Sequence, residues 1–342
     1  MKTLDLRIKL LLSGIAAGDS LGSTSEFFSQ DEIPELYNRL KGDGWPFKQV
    51  GAGSLGLSPG DPTDDAEMAL CIVRPFMESR KFDPAMIARE FVSWMKSGPK
   101  DIGNATYETL RTCEKSKNYW DGGLLFWRRQ PRHAANGSLM RNGVVPAMAE
   151  TLDDAFSMTL KHGMITHYAP LPQVCCMAQT YLIWELLSGK SYSEGWQGRF
   201  EESLAHYFDG IQDPEVEQWL KEVKEADHLD RAMDTFNRAN WIMDEFNPFF
   251  LSIRGNGGYC LLTLQIALWA LYWSLRKEVP EIPEGFPKDV FDAEGPSRLA
   301  WVAMIGHDAD TYGATAGPLI AAAHSTLPSG MIEGLKVLQI FE

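Results

Sequence analysis

Cysteine is scarce and unpatterned in this chain of 342 residues. Five are present, Cys71, Cys113, Cys175, Cys176 and Cys260. Their number is odd, and no CxxC or Cys/His ligand spacing occurs, which argues against a disulfide scaffold or a zinc ribbon. Reduced thiols in a cytoplasmic protein are the expectation. Positive charge is in deficit as well: Lys and Arg number 32 against 46 Asp and Glu, a formal charge of -14. Such a chain repels phosphate backbones, so unaided nucleic-acid binding is not expected. Clean apolar runs are missing too. A long uncharged stretch, 255–275, is interrupted by Asn256, Thr263, Gln265 and Ser274. A bilayer-spanning helix needs about 20 predominantly apolar residues, so this stretch reads as a buried core helix and no membrane association is expected. The start of the chain lacks a basic segment followed by an apolar run, so no secretory leader is expected. Alternating strand patterns are rare, and no strand–helix succession suggests a parallel sheet.

What the sequence does contain is helical periodicity. Ile87, Phe91, Trp94 and Met95 follow the spacing of one buried helix face, and Leu152, Phe156, Thr159 and Leu160 do so again. From Tyr259 to Leu275 apolar residues occupy the whole circumference, the mark of a central helix. Residues 214–238 read as a further helix with charged exposed positions. Glycine and proline place loops at 41–62, 97–103, 132–143 and 279–287. No repeat and no linker divides the chain, so an all-α, single-domain bundle over 1–342 is expected. Runs of small residues, Ser13-Gly14-Ile15-Ala16-Ala17-Gly18 and Gly313-Ala314-Thr315-Ala316-Gly317, imply close backbone packing against another helix or around a site.

Two acidic helix starts carry the chemistry. Thr63-Asp64-Asp65 follows a Pro/Gly-rich loop and precedes an apolar run. By itself it reads as an N-cap with acids in the first turn, and Asp64 with Glu67 fits a capping box. Asp308-Ala309-Asp310-Thr311 repeats the arrangement near the other end of the chain, with Asp308 and Thr311 one turn apart. Together they offer four carboxylates and two hydroxyls. Hard divalent cations take oxygen ligands, so a binuclear site is plausible on chemistry alone, whereas the twelve-residue spacing of an EF-hand is absent. Gly18-Asp19-Ser20-Leu21-Gly22 matches the G-x-S-x-G of a serine hydrolase elbow. That elbow requires a preceding strand, and here a small-residue helix precedes it. Asn136-Gly137-Ser138-Leu139-Met140-Arg141 is a loop whose backbone N–H groups and arginine suit a phosphate. His167 follows a helix end.

In order along the chain, these segments resemble the ADP-ribosylglycohydrolase family, that of the dinitrogenase reductase-activating glycohydrolases. The resemblance rests on Gly14 to Gly22 with Glu26, Pro62-Thr63-Asp64-Asp65, Ser97 to Asn104, Asn136 to Arg141, Thr166-His167, Gly258-Tyr259 and Gly306-His307-Asp308-Ala309-Asp310-Thr311, and it spans nearly the whole chain. It implies an all-α orthogonal bundle with two divalent cations, Mg²⁺ or Mn²⁺, in a central cleft. The cations would be held by Thr63, Asp64, Asp65, Asp308, Asp310 and Thr311, with Glu26 near the second. It implies catalytic roles for Asp64, Asp101 and Asp310, with Asp101 beside the scissile ribose. Asn136, Gly137, Ser138, Met140 and Arg141 would line the diphosphate and ribose pocket, His167 its edge, and Tyr259 would contact the adenosine half.

The expected activity is removal of ADP-ribose from a modified protein side chain, arginine foremost. The rival readings are another linkage (serine or a small molecule) and an immunity protein that also binds an ADP-ribosyltransferase toxin directly. His307 departs from the family's second glycine, Leu139 replaces a small residue, and Asn142-Gly143 replaces a more apolar continuation. The segments 29–60 and 191–247 look longer than the family core needs. These departures bear on substrate choice more than on the metal motifs.

Overall fold

The structure is a computed structural model that describes residues 3–253, 255 and 257–342. Met1, Lys2 and Asn256, touched by the expectations about the chain start and the uncharged stretch, lie outside the described residues. In chain order the α-helices are α1 (Thr3–Gly22), α2 (Ile33–Leu40), α3 (Asp64–Ser79), α4 (Pro84–Lys96), α5 (Asn104–Cys113), α6 (Asp121–Arg129), the short α7 (Leu139–Asn142), α8 (Leu152–Met164) and α9 (Pro170–Leu187). There follow α10 (Trp196–Asp209), α11 (Pro214–Lys224), α12 (His228–Asn237), α13 (Cys260–Ser274), the short α14 (Lys288–Phe291) and α15 (Ala300–Ala303), α16 (Ala309–His324) and α17 (Ser329–Ile332). Among the described residues, extended pairing is limited to two isolated bridges, Ala52 with Leu57 and Ala135 with Tyr259. The all-α expectation holds.

The small-residue runs meet one another. α1 and α16 pack along their whole length, and a Cβ on Gly18 would overlap the carbonyl of Gly313, while one on Gly14 would overlap that of Gly317. Only glycine permits this backbone-to-backbone approach. Its consequence is positional: the end of α1 and the start of α16 are drawn together in the molecular interior. α13 lies against α16 as a core helix buried around its circumference, with Trp269 fully buried. Among the described residues no helix is long and apolar enough to cross a membrane.

Residues 214–238 do not form one helix. The chain breaks at Glu225–Asp227, where Asp227 adopts a positive φ of 57°, and resumes as α12. A left-handed residue cannot propagate an α-helix, so amphipathic spacing alone overran the break. The 132–143 loop also contains a short helix, α7, because Leu139 and Met140 bury there. The segment 191–247 supplies α10–α12, and its aromatic residues Trp196, Phe200 and Phe236, with Trp241 just beyond α12, pack on one another. The segment 29–60 folds over the end of α1: Trp45 Nε1 donates to Leu21 O at 3.1 Å, and Thr24 Oγ1 to Gly51 O at 3.0 Å.

Candidate active site

The local logic of the first acidic motif differs from a capping box. Thr63 is the N-cap of α3, yet its hydroxyl donates to Asp65 Oδ2 at 3.0 Å and makes no cap bond. Glu67 turns away and accepts from Trp94 Nε1 at 2.6 Å. The cap comes from α1. The fully buried Asp19 accepts from the backbone N–H of Thr63 at 3.1 Å with each oxygen, and from that of Ala66 at 3.1 Å. A carboxylate at a helix N-terminus satisfies orphan donors and complements the macrodipole. Here it also frees the side chains of Thr63, Asp64 and Asp65 for other work. Asp19 is the positioning residue that sequence reasoning passed over. The available signal was a single acid within the small and apolar run 10–22 of α1.

The second motif opens α16 after a tight turn. Gly306 and His307 both have positive φ, 72° and 60°. His307 thus stands in a conformation that favours glycine, the residue the family usually places there. The turn is pinned by reciprocal bonds, Phe27 N to His307 O and His307 N to Phe28 O, both 2.7 Å. These bonds hold the loop bearing Glu26 beside the start of α16. Asp308 Oδ2 accepts from Asn136 Nδ2 at 2.7 Å, and the same nitrogen donates to Thr263 Oγ1 at 2.9 Å. The 132–143 loop is itself clamped to the start of α13, through Asn136 N to Gly258 O at 3.1 Å and Cys260 N to Ala134 O at 3.0 Å.

These elements surround a cleft of about 290 Å³. Glu26, Asp64, Asp101, Asn136, Gly137, Met140, His167, Asp308, Asp310 and Thr311, all selected from the sequence, line it, joined by Asn104, Thr106 and His133. Carboxylate oxygens of Glu26, Asp101 and Asp310 lie within 4.8 Å of one another. Thr63 lines the adjoining recess, and Asp65 is fully buried behind the floor.

The remaining assignments shift. Arg141 does not reach the cleft. It is fully buried, stacks 4.6 Å from the ring centre of Phe91, and donates to Gly137 O and Thr166 Oγ1, each at 2.6 Å. It therefore shapes the loop rather than facing a phosphate. The Ser138 side chain is likewise buried, against Cys176 Sγ at 3.5 Å. Tyr259 is half-buried beside Ala135 and does not line the cleft. His167 does: Thr166 Oγ1 lies 2.8 Å from its Nδ1, and a Cβ on Gly137 would crowd its ring at 2.8 Å.

The floor is electrostatically incomplete. Burial, with mutual repulsion added, pushes Glu26 up to about 9 and Asp64 up to about 8. Burial raises Asp19 to about 7. It raises Asp308 to about 6 although Asn136 and Thr311 hydrogen-bond its carboxylate. Asp65 and Asp310 are held well above the carboxylate range for the same first cause, burial. Buried polar atoms are normally hydrogen-bonded. Yet Glu26 Oε2, Asp65 Oδ1 and Asp310 Oδ1 have no partner. Orphaned carboxylate oxygens converging from different elements fit hard divalent cations, which bring positive charge and accept several oxygen ligands.

Known proteins resemble this chain over most of its length. The profile of the ADP-ribosylglycohydrolase family matches residues 2–342, and the chain belongs to that family of glycosidases. It is similar to the ADP-ribosyl-[dinitrogen reductase] glycohydrolase of Rhodospirillum rubrum, 34% identical over 181 residues, a match spanning 52% of this chain and 56% of the relative. The ADP-ribosylarginine hydrolase Tri1 of Serratia proteamaculans (strain 568) is 23% identical over 339 residues, covering 96% of this chain and 75% of the relative. ADP-ribosylhydrolase ARH3 of Gallus gallus is 22% identical, covering 92% and 84%. A solved structure of an ADP-ribosylglycohydrolase-related protein complex superposes with a TM-score of 0.62 at 22% identity, over 98% of this chain and 94% of that one. It shares the fold.

Proposed function

We propose that this chain hydrolyses the N-glycosidic bond between ADP-ribose and a protein arginine side chain, using two divalent cations, Mg²⁺ or Mn²⁺. The observation that carries the reading is the meeting of Glu26, Asp101 and Asp310 on the cleft floor, with orphaned oxygens on Glu26, Asp65 and Asp310. The arginine linkage is supported by the relatives named ADP-ribosylarginine hydrolase. Thr63, Asp64, Asp65, Asp308, Asp310, Thr311 and Glu26 are the residues that would hold the cations. Bound there, the cations supply Lewis-acid charge that orients ribose hydroxyls and a water molecule.

The chain's own groups do the rest. Asn136 and Gly137 orient the ribose and diphosphate, with Met140 and His167 closing the wall against bulk water. Asp101, on the loop before α5, accepts the proton of the attacking water and returns a proton to the departing guanidino nitrogen. Positive charge grows on the ribose as the bond breaks, and the carboxylates around C1″ stabilise it. The test is release of ADP-ribose from an arginine-modified protein with Mg²⁺ or Mn²⁺ present. Activity that survives Asp64→Ala and Asp310→Ala together would defeat the two-cation account. A serine-linked substrate run in parallel tests the linkage.

A further inference from the structure

Resting on the arginine reading above, the groove outside the cleft acquires a purpose. Asp64 and Asp101 line both the cleft and a recess of about 160 Å³. Asp61, Pro62 and Glu67 line both that recess and an outer groove of about 510 Å³ between α3 and α4, edged by Lys336 and Val337 from the chain's last turn. The three spaces therefore adjoin one another in a row.

Their chemistry changes along the row. The recess carries the carboxylates of Asp61, Asp64, Glu67 and Asp101 against one cation, Lys100. Lys100 and Lys336 are both engaged with Asp61. Glu67 is fixed at the junction by Trp94 Nε1. With Asp61 engaged by the lysines, Glu67 by Trp94 and Asp64 assigned to the cations, Asp101 is the carboxylate of the recess left to meet a small planar cation. The outer groove is different: Leu70, Trp94 and Val337 give apolar wall, and the Arg74–Glu90 pair, 3.2 Å apart, gives polar edges of both signs. Its volume is several times that of the recess and exceeds what one arginine side chain requires.

We propose that the outer groove receives the polypeptide that flanks the modified arginine, while the recess holds its guanidino group. ADP-ribose enters on the Asn136–His167 side, and the leaving group departs along α3. Apolar wall with polar edges of both signs is the lining expected for an extended peptide rather than for a nucleotide.

The test compares kcat/KM on two substrates, ADP-ribosyl-agmatine and an arginine-ADP-ribosylated polypeptide, both with Mg²⁺. Leu70→Trp and Ser93→Trp fill the groove from its half-buried wall and its exposed rim. Each is expected to lower kcat/KM on the polypeptide at least tenfold, through KM, and to leave the agmatine substrate within twofold. Retained agmatine cleavage shows at the same time that the variant is folded. Equal losses on both substrates, or no loss on the polypeptide, overturns the groove assignment and leaves the arginine reading standing. Failure of the unaltered protein to cleave either substrate overturns the arginine reading, and the groove assignment with it.

Discussion

The carboxylate of Asp19, buried in α1, caps the helix that begins after Thr63, accepting its N–H at 3.1 Å through either oxygen. One residue of the first helix thus sets the position of the whole Thr63-Asp64-Asp65 motif. The cap is worth about 1–2 kcal/mol by analogy with other N-caps. Asp19→Ala is expected to lower stability by that amount in urea titration and to cut ADP-ribose release at least tenfold. Asp19→Asn keeps an acceptor oxygen and should recover most of the stability. If Asp19→Ala leaves both readouts intact, Asp19 does not position the motif.

The α1–α16 contact predicts an asymmetry among glycines. Gly18→Ala places a methyl on the Gly313 carbonyl, a backbone atom that cannot move aside, and should cost about 3 kcal/mol or prevent folding. Gly198, inside α10, has nothing within 4 Å of a built Cβ. Gly198→Ala should stabilise by about 0.5–1 kcal/mol. Thermal melts of the two variants check both signs.

Arg141 gives a third prediction. Arg141→Met keeps much of the volume against Phe91 but strips the donors from Gly137 O and Thr166 Oγ1. Loss of a charged hydrogen-bond donor to buried acceptors costs about 1.5–3 kcal/mol. The loop then loosens, so KM for the ADP-ribosylated substrate should rise more than kcat falls. A change in kcat alone would place Arg141 in contact with the reacting atoms instead.

His162 is expected to contribute acid sensitivity to the fold. Burial, with the nearby Arg141 charge, lowers it from 6.5 to about 3. The folded state keeps it neutral while the unfolded chain protonates it. At this site the unfolded protein therefore binds more protons between pH 6.5 and about 3, and the contribution of His162 to stability falls as pH drops through that window. The slope is about 1.4 kcal/mol per pH unit from this group. Stability difference curves between the natural protein and His162→Gln, which cannot titrate, should diverge below pH 6.5 and run parallel above pH 7.5. Parallel curves throughout would remove His162 from the account.

The carboxylate floor predicts a cation-dependent stability. Mg²⁺ or Mn²⁺ at a hundred times its Kd should stabilise the fold by about 2.7 kcal/mol, read as an upward shift of the melting midpoint that chelator reverses. Asp65→Ala with Asp310→Ala should abolish the shift. A shift of undiminished size in that variant would place the cations elsewhere.

Periodicity made several helices legible, α4, α8 and α13 among them, because one buried face repeats every three or four residues: Ile87, Phe91 and Trp94 bury on α4 as their spacing implies. The break at Asp227 was not legible, since a single left-handed residue leaves no mark on the apolar pattern. The two acidic motifs were legible through their residue types. The status of Arg141 was not: an arginine in a glycine-bearing loop has the same local sequence whether it faces a ligand or stacks on Phe91 from another helix.

The sequence by itself determined the helical class, the paired acidic helix starts and the ordered motifs that mark the family, because each depends on residues near one another along the chain. Only the tertiary structure decided which of these elements meet. Gly18 finds Gly313, Asp19 finds Thr63, and Glu26 finds Asp310 and Asp101 across the interior. Backbone approach and charge convergence are properties of distance in space, and chain separations of this length carry no local signal of them.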